Sequence, residues 1–181
     1  MGDTLRWPEK KLGFNLYARW IPEKPDHGKW YVNLSYAATS SLRVGVDYRP
    51  VTGDVSVLAN WRVFPEDPDK WWQPALILGT SNDDFGDISS QSYYGTLSKY
   101  IYTVDALKLD ISLYGGATYI EELGEVRPVG GLHLRSGHWS SLFMYSGVDE
   151  HWSVSRDLGN HTLTFLLFDL KKPGIAYGYR F

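Results

Sequence analysis

The chain has 181 residues with a net charge of −3, and its 8 Trp, 13 Tyr and 7 Phe are accompanied by no cysteine. The length suits one domain, so we predict a single β-barrel domain over residues 1–181. The composition excludes a disulfide framework, and the absence of a basic patch predicts that the protein does not bind nucleic acid.

Residues 1–11 precede the first predicted strand and contain no apolar segment of the signal-peptide type. An exported protein is synthesised with such a segment, so we expect the chain to be a mature form. Residues 1–11 would then be a leader on the periplasmic side of an outer membrane. A cytosolic β-domain is the alternative.

Twelve segments alternate between apolar and polar residues, and Gly, Pro, Asn, Asp or Ser clusters separate them. Helical periodicity is not convincing anywhere, and there is no run of about 20 apolar residues that could form a membrane-spanning helix. The predicted strands are 12–20, 30–37, 42–49, 55–64, 75–80, 93–102, 107–119, 126–135, 139–146, 151–158, 162–169 and 174–181. The fifth, sixth and ninth alternate least clearly. The connection between the fourth and fifth strands, 65–73, is longer than expected, so ten strands is the alternative count.

The last predicted strand has the clearest membrane signature. Ile175, Tyr177, Tyr179 and Phe181 share one face, which suits lipid, whereas Gly174, Ala176, Gly178 and Arg180 share the other. This alternation predicts an all-β fold: a transmembrane antiparallel up-and-down β-barrel in the bacterial outer membrane. We interpret Tyr177, Tyr179 and Phe181 as the C-terminal signal for the barrel-assembly machinery.

The connections between the predicted strands alternate in length, as expected when short periplasmic turns alternate with longer outer loops. The exception is 65–73, a long connection on the side where short turns are expected. The longer side is rich in acidic residues. These acids have two interpretations: they lie in ordinary solvated loops, or they bind divalent cations that bridge to lipopolysaccharide. They are Asp83, Asp84, Asp87, Glu121, Glu122, Glu125, Asp149 and Glu150.

Most arginines fall on the predicted inward phase, whereas most lysines fall in connections. Fewer acids share this phase, so we expect a positively charged lumen, which is either a narrow anion-preferring pore or a packed interior. The predicted lumen residues are Arg19, Arg43, Asp47, Arg49, Arg62, Lys108, Asp110, Arg127, His133, Arg135 and Arg180. Tryptophans lie mostly at strand ends and are typical of aromatic girdles.

Two His-Trp-Ser triplets occur, at 138–140 and 151–153. Within a strand, His151 and Ser153 share a face, so they are weak candidates for a base and a nucleophile. The arrangement is similar to the His-x-Ser of outer-membrane lipid A deacylases, whose site faces lipid, but here both residues fall on the inward phase. We expect no enzymatic activity, no cofactor and no metal site, because metal-ligand spacings and nucleotide-binding motifs are missing.

Three pieces of the sequence carry a family resemblance: 42–50, then 74–79 with the Asp83-Asp84-Phe85-Gly86 loop and 93–99, and finally 144–147 with 152–155. These pieces resemble YjbH-type outer-membrane barrels. The resemblance covers most of the chain from Leu42 onward. It implies a link to exopolysaccharide secretion, although family members are often larger, and it implies no catalytic residues.

Taken together, the sequence predicts a small monomeric outer-membrane barrel that is structural or forms a narrow pore. Its expected partners are outer-membrane lipids, lipopolysaccharide and the barrel-assembly machinery. Two alternatives stay open at this point: a lipid-modifying outer-membrane enzyme, and a soluble lipocalin-like barrel in which apolar residues line the interior.

Overall fold

A computed structural model describes residues 12–67, 69–82 and 90–181 and contains a closed barrel of twelve antiparallel strands. Each strand pairs with its neighbours in sequence, and β1 pairs with β12 to close the barrel. The predicted all-β barrel and its twelve strands are therefore confirmed. The predicted leader, residues 1–11, lies outside the described residues.

The strands are β1 (Gly13–Trp20), β2 (Trp30–Ala37), β3 (Leu42–Arg49), β4 (Asp54–Phe64), β5 (Ala75–Ser81), β6 (Ser92–Val104), β7 (Leu109–Ile120), β8 (Glu125–Ser136), β9 (Trp139–Tyr145), β10 (Glu150–Leu158), β11 (His161–Phe168) and β12 (Lys172–Arg180).

Two short helical turns accompany the strands in the part of the chain that the structure describes. The α-helical turn α1 (Asp26–Lys29) precedes β2, and a 3-10 turn (Asp105–Leu107) connects β6 to β7. In the described ranges, none of the helical segments has the length and apolar character that crossing a membrane requires.

The cross-strand register sorts side chains by polarity. Leu34, Val46 and Val57 are directly opposite one another on β2, β3 and β4 and point outward, with Val57 60% exposed. The adjacent inward row contains Asn33 and Asp47, and the Asp47 side chain is fully buried. Every strand carries large apolar side chains on its outer face. Because successive side chains of a strand point to opposite faces, the alternation in sequence becomes an apolar exterior and a mainly polar interior.

The connections define two ends of the barrel. The terminal end is where β1 begins and β12 ends, and it carries connections 38–41, 65–74, 105–108, 137–138 and 159–160. The distal end carries connections 21–29, 50–53, 82–91, 121–124, 146–149 and 169–171. The long connection 65–74 therefore lies at the terminal end, on the side where short turns were expected.

The long connection 65–74 covers a projecting hairpin. Strand β6 pairs with β5 only as far as Ser98, and beyond this residue β6 and β7 continue toward the terminal end without a strand beside β6. Glu66 accepts a hydrogen bond from the backbone N–H of Tyr100 (3.0 Å) and forms an ion pair with Lys99 (3.0 Å). The Lys99 ammonium also donates to the carbonyls of Asp67 (2.9 Å) and Lys70 (3.0 Å). The connection therefore satisfies polar groups that a sheet edge would otherwise expose.

Candidate functional site

The candidate functional site is the polar interior, which is most densely packed near the distal end. There Asp47 on β3 accepts hydrogen bonds from the Tyr31 hydroxyl (2.7 Å) and from the Asn33 side-chain amide (2.6 Å), both on β2. The backbone N–H of Asn82 also points to the Asp47 carboxylate, at 3.4 Å. A buried carboxylate is costly unless donors surround it, and these partners supply such donors to Asp47.

Two arginines contact groups that surround this carboxylate. Arg49 lies two residues further along the inward face of β3, is fully buried and donates to the carbonyl of Asn82. Arg19 on β1 places its guanidinium carbon 4.8 Å from the centre of the Tyr31 ring, an arrangement that permits a cation–π interaction. Tyr31 thus contacts a cation with its ring and an anion with its hydroxyl. The cluster joins β1, β2, β3 and the connection that follows β5.

The β1–β2 connection, residues 21–29, folds over the distal mouth. Ile21 is fully buried and packs against Leu166, Phe168 and Ala176, which are inward residues of β11 and β12. Lys24 is only 3% exposed, and its ammonium lies 3.7 Å from the centre of the Phe168 ring. A cation that has lost water gains about 2 kcal/mol from such a ring. The connection therefore reaches from one side of the mouth to the inner wall of the barrel two strands away.

Two glycines make this close approach possible. A Cβ at Gly174 would lie 2.7 Å from the Ile21 side chain and 2.7 Å from the carbonyl of Trp20. The absence of a side chain at Gly174 therefore leaves room for Ile21 against the inner wall. A Cβ at Gly28 would lie 2.8 Å from Cδ of Lys24, so the lysine stem lies against the backbone of α1. A larger residue at Gly174 would displace the connection, and one at Gly28 would displace the Lys24 side chain.

The terminal half of the lumen is more accessible to solvent. Arg135 on β8 forms an ion pair with Asp157 on β10 at 3.3 Å, and the two side chains are 23% and 31% exposed. Thr162 donates to the same aspartate (2.8 Å), and Thr103 donates to Asp110 (2.7 Å). The Arg135–Asp157 pair is therefore more accessible to solvent than the Asp47 cluster near the distal end.

The structure places ten of the eleven predicted lumen residues on inward-facing strand positions. They are Arg19, Arg43, Asp47, Arg49, Arg62, Asp110, Arg127, His133, Arg135 and Arg180. Lys108 is the exception, because β7 begins only at Leu109 and Lys108 lies in the preceding turn with its side chain exposed. It adopts a left-handed backbone conformation (φ 47°) there, so the alternation did not extend to it.

Several of these residues have partners within the barrel wall. Arg62 donates to the carbonyl of Ser40 at 3.0 Å, and Arg127 binds the Glu125 carboxylate at 3.0 Å and the carbonyl of Gly147 at 3.3 Å. Along the described strands, the seven inward arginines outnumber the inward carboxylates, which are Asp47, Asp54, Asp110, Glu125 and Asp157. The lumen thus carries excess positive charge along the described strands.

The histidine and serine of the second His-Trp-Ser triplet both face inward, on β10. The His151 ring stacks on Phe168 with centres 4.1 Å apart, and its Nδ1 accepts a hydrogen bond from the backbone N–H of Asp169 (3.1 Å). In a neutral imidazole whose Nδ1 accepts, Nε2 carries the proton. The ring in this state is therefore not prepared to take a proton from Ser153. Lipid modification stays a prediction, and loss of lipid hydrolysis in Ser153→Ala would support it.

Aromatic side chains ring the outer surface near both ends. Trp20 and Trp30 stack at the distal end with centres 5.9 Å apart, whereas Trp61 and Trp139 lie near the terminal end. The predicted assembly-signal residues Tyr177, Tyr179 and Phe181 all belong to the outward phase, and the Tyr179 and Phe181 rings meet edge to face at 4.8 Å. This arrangement is the reverse of what the soluble lipocalin-like alternative requires, because apolar groups lie outside and polar groups inside.

The described residues contain no group of three or more His, Cys, Asp or Glu side chains arranged to hold a metal ion. Of the acidic residues near the distal end, Asp83, Asp84 and Asp87 lie outside the described ranges. Glu121 accepts a hydrogen bond from the Tyr93 hydroxyl at 3.0 Å, and Glu125 pairs with Arg127. The bridging role of these acids toward lipopolysaccharide stays a prediction.

Some residues of the interior and its rim have no clear signal in the sequence. Lys24 stands in the polar segment Pro22-Glu23-Lys24-Pro25, which is typical of a solvated loop. Phe168 falls on the inward phase of β11, but nothing in the alternation indicates that a histidine and a lysine share its ring. Arg156 points outward, and its guanidinium lies 5.1 Å from the centre of the Trp139 ring, which anchors the cation at the outer rim.

Comparison of the chain with protein-family models and with curated proteins gives no match. The resemblance to YjbH-type barrels therefore stays a prediction. The structure places its pieces on β3, on the neighbouring strands β5 and β6, and on the β9–β10 hairpin. The Asp83–Gly86 loop lies outside the described residues.

Proposed function

We propose that this protein is a small monomeric β-barrel of the bacterial outer membrane with a narrow, anion-preferring lumen. The terminal end would face the periplasm and the distal end the exterior, as in barrels whose two termini are periplasmic. In the conformation described above, packing around Ile21 and the Asp47 cluster closes the distal end.

The observation that carries the proposal is the apolar outer face. Leu34, Val46 and Val57 form a continuous apolar row, and comparable side chains lie on the outside of every strand. Soluble monomers rarely expose apolar patches larger than a few hundred Å². A lipid bilayer is the solvent that favours such a surface, and a closed barrel leaves no sheet edge unpaired in lipid.

The excess of inward arginine supports the anion preference. A lumen wall with more guanidinium than carboxylate groups lowers the energy of an anion in the pore and raises that of a cation. Arg43 and Arg62 are neighbours on the inward faces of β3 and β4, near the terminal end, where the lumen is more accessible. They are therefore the best positions at which to change ion selectivity.

Conductance across a planar bilayer tests the proposal. Under a salt gradient we expect discrete current steps with a reversal potential on the anion-selective side. Arg43→Gln and Arg62→Gln, each made singly, should move the reversal potential toward zero, whereas the outward-facing Arg156→Gln, a matched loss of one arginine outside the lumen, should leave it unchanged. Cation preference, or equal effects of the lumen and rim variants, would contradict the proposed selectivity.

A purely structural barrel is the second candidate, and the packed distal half favours it. Fully buried groups such as Asp47, Arg49 and Ile21 leave little free cross-section near that end. Folded protein that inserts into the bilayer but gives no current steps under any condition would support this candidate over the pore.

The predicted partners follow from the same location. Outer-membrane lipids and lipopolysaccharide would contact the apolar exterior, and the barrel-assembly machinery would read Tyr177, Tyr179 and Phe181. A link to exopolysaccharide secretion rests on the YjbH-type resemblance. Because the distal half of the lumen is packed, we expect that the polysaccharide would not pass through this barrel, and that the barrel would act next to a separate export channel.

A further inference from the structure

The inference concerns the way in which the β1–β2 connection is held in the distal mouth, and it rests on the proposed membrane barrel. Lys24 and His151 reach the same aromatic ring, that of Phe168. The lysine ammonium lies 3.7 Å from the ring centre, and the imidazole centre lies 4.1 Å from it. Phe168 is 5% exposed, so both contacts are made in a site from which water is largely excluded.

The contact of His151 depends on its protonation state. Its Nδ1 accepts a hydrogen bond from the backbone N–H of Asp169 (3.1 Å), which requires an Nδ1 without a proton. Protonation of the ring would turn this acceptor into a donor that faces another donor. It would also bring a second cation to the ring that Lys24 already occupies. Both effects weaken the closed arrangement.

Other charged groups surround His151. Lys172 stands opposite Phe168 on β12, and like Lys24 it disfavours a second positive charge. Asp169 follows Phe168, Glu150 precedes His151 on its own strand and Asp149 lies in the connection before it; these carboxylates favour protonation. On β9, the residue opposite His151 is the uncharged Met144. Among these residue types, histidine is the one whose unperturbed pKa lies between about pH 5 and pH 8.

We propose that residues 21–29 form a pH-responsive plug of the distal mouth, latched to Phe168 by Lys24 and His151, and that protonation of His151 releases the plug. Release would withdraw Ile21 from its contacts with Leu166 and Ala176 and remove its part of the packing at the distal end. A more acidic exterior would then raise the conductance of the pore.

A spin label on the connection measures release without relying on conductance. The chain has no native cysteine, so Glu23→Cys gives a single attachment site on an exposed position of the plug. Val51→Cys, in the next distal connection, is the matched control. Between about pH 7.5 and about pH 5 we expect the mobile fraction of the label at position 23 to rise on the order of tenfold. The label at position 51 should not respond.

Two further variants separate the roles of the latch residues. His151→Gln supplies an uncharged acceptor for the Asp169 N–H, so the label should stay immobile at both pH values. Lys24→Met keeps the apolar stem but removes the cation, so the label should already be mobile at about pH 7.5. Lys171→Met, which removes an exposed lysine from another distal connection, is the control for charge loss and should behave like the parent protein.

The outcomes distinguish the plug from the pore. An immobile label at both pH values in the parent protein, or an acid response that persists in His151→Gln, would overturn the plug. Acid-dependent mobility with no current steps in any variant would support the plug and contradict the pore. Acid-dependent mobility together with a rise in open probability of about tenfold would support both.

Discussion

The Tyr31 hydroxyl donates a hydrogen bond of 2.7 Å to the fully buried carboxylate of Asp47, and this contact joins β2 to β3 inside the barrel. Asp47→Ala would leave the Tyr31 hydroxyl and the Asn33 amide without their shared acceptor, next to the buried Arg49. We expect the free energy of unfolding to fall by about 3 kcal/mol, because buried donors and a buried cation lose their compensation. Urea unfolding in lipid vesicles measures this change.

Asp157→Ala is the control for Asp47→Ala. Asp157 also pairs with an arginine, but its side chain is 31% exposed, so water can replace the carboxylate. We expect a loss of about 0–1 kcal/mol there. Equal losses in the two variants would show that the interior is uniformly hydrated and would contradict a packed distal half.

The ion pair between Glu66 and Lys99 gives a second prediction, about the projecting β6–β7 hairpin. Glu66→Ala removes the acceptor of the Tyr100 N–H and leaves the connection 65–74 held to β6 by the Lys99 ammonium, which donates to the carbonyls of Asp67 and Lys70. Hydrogen exchange at the Tyr100 amide should become on the order of tenfold faster, because losing one partly buried hydrogen-bonded acceptor costs about 1–1.5 kcal/mol. Asp69→Ala, which changes an exposed carboxylate in the same connection, should leave this amide protected.

The contrast between these two clusters indicates what the sequence could reveal. Asp47, Arg49 and their strand follow from alternation, because a period of two assigns every residue of a strand to a face. All twelve predicted strands lie within two residues of the observed bounds for the same reason. The ten predicted lumen residues that face inward needed no knowledge of which strands pair.

Contacts made by connections could not be predicted in this way. Glu66 meets Lys99 only because β6 continues past the end of β5, and that stagger depends on the register of the closed barrel. Lys24 meets Phe168 only because closure of β1 on β12 brings β11 close to the first connection. Alternation does not encode either contact. In the sequence, Lys24 therefore resembled an ordinary loop lysine and Lys99 an ordinary strand lysine.

The connection 65–74 also supplies a pH-dependent prediction. The Lys70 ammonium, 2.8 Å from the Asp67 carboxylate, and the backbone N–H of Asp69 hold the pKa of Asp67 below its usual value. A lowered pKa means that this contact stabilises the folded state fully above the usual value of 3.8 and is lost as the pH falls through the lowered one. Lys70→Met should therefore raise the pKa of Asp67 toward its usual value.

An NMR titration of the Asp67 carboxyl carbon in detergent micelles measures this shift. Lys29→Met is the control, because Lys29 pairs with Asp26 at the distal end and is remote from Asp67 in the fold. An Asp67 titration that is unchanged by Lys70→Met would mean that the backbone N–H of Asp69 alone lowers the pKa. An equal response to both variants would indicate a general charge effect instead of the local contact.

The outward row of Leu34, Val46 and Val57 gives the prediction that separates a membrane barrel from a soluble one. Val46 lies in the middle of β3 and is 46% exposed, so Val46→Arg would place a cation in the hydrocarbon if the barrel spans a bilayer. The free energy of unfolding from lipid vesicles should then be about 2–4 kcal/mol lower than that of the parent protein. Val126→Arg, at the distal end of β8, should lower the free energy of unfolding by only about 0–1 kcal/mol, because the guanidinium reaches the interface. In a soluble protein both arginines would face water, so two equally small losses would reject the membrane location itself.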